Sequence, residues 1–106
     1  AWIFVPGTIS VQQTSNDTPS NFLLEQNYPN PFNPNTNIQF ALPKSGYVTL
    51  EIFSVTGERV DILISEELSV GKYNYDLNGS NLTSGIYFYR LNAGSFVETK
   101  KMILLK

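Results

Sequence analysis

From Thr36 onward apolar residues recur at every second position, and turn residues cut the runs at short, regular intervals. A side-chain period of two is the signature of a strand with one buried face, and a helix cannot satisfy it. Ile38, Phe40 and Leu42 alternate with Gln39 and Ala41, then Pro43-Lys44-Ser45-Gly46 turns. Val48, Leu50 and Ile52 alternate with Thr49, Glu51 and Phe53, and Val55-Thr56-Gly57-Glu58 turns again. Val60, Ile62 and Ile64 form the next set, and Tyr73, Tyr75 and Leu77 follow Gly71. Asn78 to Asn81 reads as a loop, with Asn and Gly supplying left-handed backbone angles. Gly85 precedes Ile86-Tyr87-Phe88-Tyr89-Arg90-Leu91, and Asn92-Ala93-Gly94-Ser95 is a hairpin signal leading into Phe96–Leu105. Ser65-Glu66-Glu67-Leu68 has room for one short helical turn and no more. Six or seven short strands without an amphipathic helix predict an all-β fold, an Ig-like antiparallel β-sandwich of about seven strands.

The first third of the chain obeys other rules. Residues 1–7, AWIFVPG, are a short apolar run closed by Pro6-Gly7. They read as the last strand of an upstream domain in preference to a strand docking on this one. Residues 8–21 are rich in Ser, Thr, Asn and Gln, bury little, and read as a linker. Residues 1–21 are therefore expected to be an upstream remnant and polar linker, with the folded domain at 22–106. Its opening contains Tyr28-Pro29-Asn30-Pro31-Phe32-Asn33-Pro34. Each proline restricts itself and its predecessor, so a stiff, extended, turning strip is expected. Tyr28 and Phe32 are the side chains available to pin it, and both are expected to be buried. The outward-facing Phe53 and Phe88 read either as a small contact patch or as a surface covered by the strip, and the second is the preferred reading.

The chain has 106 residues and contains neither histidine nor cysteine. Imidazole catalysis, thiol nucleophiles, disulfides and His- or thiolate-ligated metals are excluded with those residues. Nine acidic residues remain, and no two of them sit in a catalytic context; Glu66-Glu67 reads as a solvated pair. The chain is expected to be no enzyme and to need no cofactor. Asp76, Asn78 and Asn81 offer oxygen atoms around Gly79, but one charge is few for Ca²⁺, and a turn is the preferred reading. Tyr47, Phe53, Tyr73, Tyr75, Tyr87, Phe88 and Tyr89 would make a sugar platform if exposed. Alternation instead sends Tyr87 and Tyr89 to the core. The net charge of −2 gives no footprint for nucleic acid. No apolar run reaches the roughly 20 residues that a membrane-spanning helix needs.

Several of these segments together resemble a known family. Tyr28 to Thr36, with Ile38 and Phe40, is similar to the opening box of type A C-terminal sorting domains of type IX (Por) secretion substrates, found in Bacteroidota and relatives. The likeness continues through Val48, Leu50, Ile52 and Gly57, then Ser84 to Leu91 with Gly85 and Tyr87, and ends with Lys100-Lys101-Met102-Ile103-Leu104-Leu105-Lys106. Ser54 departs from the pattern, standing where the family often has Asp near the start of a turn.

The resemblance implies an Ig-like seven-stranded sandwich that directs an attached upstream cargo across the outer membrane, by way of the periplasm, to secretion or the cell surface. The implied partners are the type IX machinery and, in many members, a sortase-like surface peptidase that removes the domain. Two other readings remain: an accessory carbohydrate-binding module of a secreted enzyme, and a structural Ig-like spacer. Lys100 and Lys101 have two readings of their own. Lysines on an edge strand deter unwanted pairing, and a cationic pair in an acidic domain offers the machinery a charged handle.

Overall fold

A computed structural model describes residues 11–106; the apolar segment 1–7 lies outside the described residues. Among the described residues eight strands form: β1 Val11–Ser15, β2 Leu23–Leu24, β3 Asn35–Leu42, β4 Gly46–Ser54, β5 Arg59–Leu68, β6 Gly71–Asn78, β7 Gly85–Ala93 and β8 Phe96–Leu104. They make two four-stranded sheets in the orders β1-β6-β3-β2 and β5-β4-β7-β8, and every strand pair is antiparallel.

The alternation read from the sequence decides which side chains meet between the sheets. Ile38, Phe40, Leu42, Tyr73 and Leu77 of the first sheet are buried against Val48, Leu50, Ile52, Tyr89, Leu91, Met102 and Leu104 of the second. Phe40 and Tyr73, directly opposite one another, stack with ring centroids 5.3 Å apart. Connections that change sheet after β3, β5 and β6 give the immunoglobulin-like plan, with β3 and β6 facing β4, β7 and β8. The Tyr87 hydroxyl donates to the Thr83 carbonyl at 2.7 Å. A tyrosine at the start of this strand, bonded back to the corner before it, is a hallmark of such sandwiches. Gly94 at φ 61°, followed by a residue of negative φ, makes the β7–β8 hairpin a Gly-first two-residue loop.

Four expectations are corrected. The segment read as a polar linker contains β1, which pairs with β6 from Val11↔Tyr75 to Ser15↔Lys72. Its side chains are mostly exposed, so it is held by the backbone ladder, which polar composition does not reveal. The helical turn at Ser65–Leu68 does not form, because these residues pair with Gly46–Thr49 as the end of β5. Val60 and Ile62 do not share the buried face of Ile64. The β4–β5 register shifts between Leu50 and Glu51 and again between Ile52 and Phe53. Each extra residue turns the following side chains over, and Val60 and Ile62 end exposed. Gly79, finally, is not in the left-handed region. A Cβ there would lie 3.1 Å from both the Phe32 ring and the Pro34 carbonyl oxygen, so it is close approach that favours glycine.

Candidate functional site

Residues 22–32 form a strap along the open side between the two sheets. It begins in the first sheet, where β2 pairs with β3 and the Glu25 amide donates to the Gln39 carbonyl at 2.9 Å. Tyr28 and Asn37 then exchange both backbone hydrogen bonds, at 2.9 and 3.0 Å. The strap ends in the second sheet, where Phe32 bridges Leu104 in parallel: the Phe32 amide donates to Ile103 at 2.9 Å and Leu105 donates back to Phe32 at 3.0 Å.

Between these anchors the strap runs beside the outer edge of β8. Phe22 stacks on Phe96 at 5.0 Å. The Gln26 side-chain amide donates to the Lys101 carbonyl at 2.6 Å, and the Asn30 side-chain oxygen accepts from the Ile103 amide at 3.0 Å. The half of the β8 edge toward Leu105 is therefore covered by backbone and amide groups of the strap. An open edge invites pairing with another chain, and this half is closed. The peptide bonds preceding Pro29, Pro31 and Pro34 are all cis.

A buried polar node fixes the middle of the strap. The Asn27 side-chain amide nitrogen donates to the Thr36 hydroxyl at 3.0 Å and to the Pro29 carbonyl at 3.2 Å, and Thr36 donates to that same carbonyl at 2.8 Å. From the opposite sheet, the Tyr89 hydroxyl accepts from the Asn27 backbone amide and donates to the Glu25 carbonyl, each at 2.7 Å. Burial pushes the Tyr89 phenol well above its ordinary pKa, although the Asn27 hydrogen bond acts the other way. No buried side-chain nitrogen or oxygen of the described residues lacks a partner. Asn27 carries no motif, Thr36 figures in the sequence only as the end of the Tyr28–Thr36 box, and Gly79 only as a turn glycine; the general need of a buried tyrosine hydroxyl for a partner is the one hint of such a node.

The sequence-picked residues divide sharply. Phe32 is buried, with 2 % of its surface exposed, whereas Tyr28 is 81 % exposed, against the expectation that both pin the strip. Residues directly opposite one another in a ladder point to the same face. Pairing with the outward-facing Asn37 therefore turns Tyr28 outward, and pairing with the buried Leu104 turns Phe32 inward. The strap does not cover Phe53 and Phe88 either. Those two rings are direct neighbours across β4 and β7, and the Arg90 guanidinium lies 4.5 Å from the Phe53 ring centroid.

Within the run Pro29-Asn30-Pro31-Phe32-Asn33-Pro34, Asn30 and Phe32 bond the end of β8 at one end of the sandwich, the Pro29 carbonyl accepts from Asn27 and Thr36, and the Pro34 carbonyl accepts from the Gly79 amide at 2.7 Å. Gly85 is there too, paired with Leu104, and Tyr87 stands opposite Ser54 at the base of the turn that holds Gly57. In that turn Gly57 adopts φ 89° and donates to the Ser54 carbonyl at 2.9 Å. The Ser54 hydroxyl lies 2.8 Å from that of Thr56, so a side-chain turn contact exists without Asp. Lys100 and Lys101 sit further along β8, opposite Tyr89 and Phe88. Lys100 shares the side of Met102 and pairs with Glu98 at 3.2 Å; Lys101 lies on the outer face and is exposed. At the chain's last residue, the Lys106 amide donates to the Ser84 hydroxyl at 2.9 Å and its ammonium to the Ser80 carbonyl at 2.6 Å.

The remaining candidates are used locally. Asn78 accepts from the Ser80 amide at 2.9 Å, closing the turn as expected, and Asp76 accepts from the Asn37 side-chain amide at 2.6 Å. Tyr73, Tyr87 and Tyr89 are buried, so the seven aromatics form no common platform.

A family model described as the secretion system C-terminal sorting domain matches residues 26–105. No curated protein was found to match the chain. The matched span opens at Gln26, the first strap residue to bond β8, and closes at Leu105, the last to bond the strap.

Proposed function

The chain belongs to the secretion system C-terminal sorting domain family, and on that footing we propose that it is read as a folded shape and not as a linear tail. The family carries the sorting signal for type IX secretion. In our reading, residues 22–106 take an attached cargo across the outer membrane to secretion or the cell surface. Residues 1–21 link it to that cargo, with β1 latched onto β6. The type IX machinery is the direct partner, and a sortase-like peptidase acting between cargo and domain fits the polar connecting segment.

The observation that supports a folded signal is the strap. Segments some 70 positions apart, Asn30-Pro31-Phe32 and Ile103-Leu104-Leu105, are joined by reciprocal hydrogen bonds. Neither has its native shape without the other, so a receptor touching this end of the sandwich tests the whole fold. Lys101, exposed on the outer face of β8, is the lysine placed for contact with the machinery. Lys100, on the inner side of an edge strand, is placed for edge protection.

The test is a reporter carrying an export signal, fused ahead of residues 1–106 and expressed in a host with a type IX system. Surface display of the reporter, and its retention in the periplasm when 100–106 are deleted, is the expected result. Lys101→Gln should lower export at unchanged melting temperature, and Lys100→Gln should leave export intact. An intact fusion that stays in the periplasm of a competent host would overturn the reading.

A further inference from the structure

The ring of Tyr28 is 81 % exposed, yet the backbone that carries it is fixed. Its backbone is paired on β3 at Asn37 and Pro29 follows it. It forms one wall of a shallow groove of about 490 Å³ on the outer face of the first sheet, beside Pro29, Asn35, Asn37, Asp76 and Asn78. The register explains the cluster. Asn35 stands opposite Asn78 and Asn37 opposite Asp76, so four amide and carboxylate side chains emerge on one face next to one aromatic ring.

We infer that this groove binds a neutral pyranose sugar, with the sugar's C–H face on the Tyr28 ring and its hydroxyls on the flanking amides and carboxylate. A pyranose is apolar on one face and carries at its rim hydroxyls that both donate and accept. An exposed ring on a paired backbone, with amide and carboxylate groups at its margin, complements both features. The polar groups are also ordered in advance. The Asn37 amide nitrogen is committed to Asp76 at 2.6 Å, which leaves the Asn37 oxygen and the second Asp76 oxygen as acceptors. The Asn78 oxygen is taken by Ser80, which leaves its NH₂ as a donor. Groups already fixed cost less to order on binding.

The same geometry disfavours other occupants. None of the residues lining the groove is cationic, so a phosphate or an acidic sugar would meet Asp76 without compensation. A peptide adding as a strand needs open backbone, and β3 is paired here on both sides, by β6 and by Tyr28. The groove is separate from the β8 edge that the strap covers, since Tyr28 pairs with Asn37 on the outer face of β3.

The experiment is an amide-resolved NMR titration of the whole chain with the methyl glycosides of glucose, galactose, mannose and N-acetylglucosamine. At least one should give saturable shifts confined to Tyr28, Asn35–Asn37 and Asp76–Asn78. Tyr28→Ala and Asp76→Ala should each weaken binding by about tenfold or more, with melting curves unchanged, and Tyr28→Phe should retain it. No saturable shift with any of the four would overturn the inference, as would shifts that survive Tyr28→Ala. A proline-rich peptide perturbing the same amides where no glycoside does would also overturn it, by assigning the groove a peptide. The titration needs no type IX host, so a chain that binds no glycoside leaves the sorting reading standing, and a fusion that is not exported leaves this inference standing.

Discussion

The Tyr89 hydroxyl, on the central strand β7, accepts from the Asn27 backbone amide at 2.7 Å while donating to the Glu25 carbonyl at the same distance. One phenol from the second sheet thus satisfies two backbone groups of the strap that leaves the first sheet. Tyr89→Phe keeps the packed ring and removes both bonds, leaving a buried donor and acceptor unpaired. Such orphaned groups cost about 1–3 kcal/mol each. The expected result is a lower midpoint in denaturant and faster hydrogen exchange at Asn27.

Alkali should act at the same point. Burial raises the Tyr89 pKa above that of the unfolded chain, so the folded state holds the proton longer. The stability from this group is fully present below the unfolded phenol value of about 10 and declines as pH rises from there toward the folded value. The fall in melting temperature above that pH should be shallower in Tyr89→Phe than in the parent. Equal slopes would contradict the linkage.

The two aromatics of the proline-rich strip should respond in opposite ways. Phe32→Ala empties a packed site against Leu104 and Gly79 and should cost about 3–5 kcal/mol. Tyr28→Ala removes an exposed ring and should stay within about 0.5 kcal/mol of the parent. Parallel urea titrations of the two variants measure both.

Gly71 reports on β1. Its φ is 149°, and a Cβ would lie 2.3 Å from the Gln13 side-chain nitrogen and 2.5 Å from the Ser15 carbonyl oxygen. Gly71→Ala should therefore detach β1, seen as loss of hydrogen-exchange protection at Val11–Ser15 while β7 stays protected. Retained protection there would show that the strand can shift to accept the methyl group.

The two turn glycines at the strap end should fail for different reasons. Gly57 has open space around it but a φ of 89°, so Gly57→Ala is penalised through the backbone by about 1–2 kcal/mol. Gly79 has no such angle, and Gly79→Ala presses on Phe32, at a cost of about 1–3 kcal/mol. Combining Gly79→Ala with Phe32→Leu should recover part of that second loss, and no second-site change at Phe32 should rescue Gly57→Ala. Thermal melts of the double variants check this.

The chain's own alternation determined the class of fold and most of the core. Ile38-Phe40-Leu42, Val48-Leu50-Ile52 and Tyr87-Tyr89-Leu91 face inward because a strand offers every second side chain to one side and water rejects the apolar set. The prolines determined that residues 29–34 would be extended and turning, and the missing histidine and cysteine removed whole classes of chemistry. Local pattern carries no information about partners, and there the tertiary structure decided. Val60 and Ile62 were turned outward by register shifts that exist only when β4 lies alongside β5. The polar β1 is a strand because β6 lends it a ladder of backbone hydrogen bonds, which are indifferent to side-chain type. Tyr28 and Phe32 look equivalent in the sequence. They differ because one is paired with Asn37 on an outer face and the other with Leu104 at the core. The strap itself, which joins the two ends of the motif into one surface, depends on contacts spanning some 70 residues. A period of two or a proline spacing fixes how each segment runs, but only packing fixes which segment it lies against.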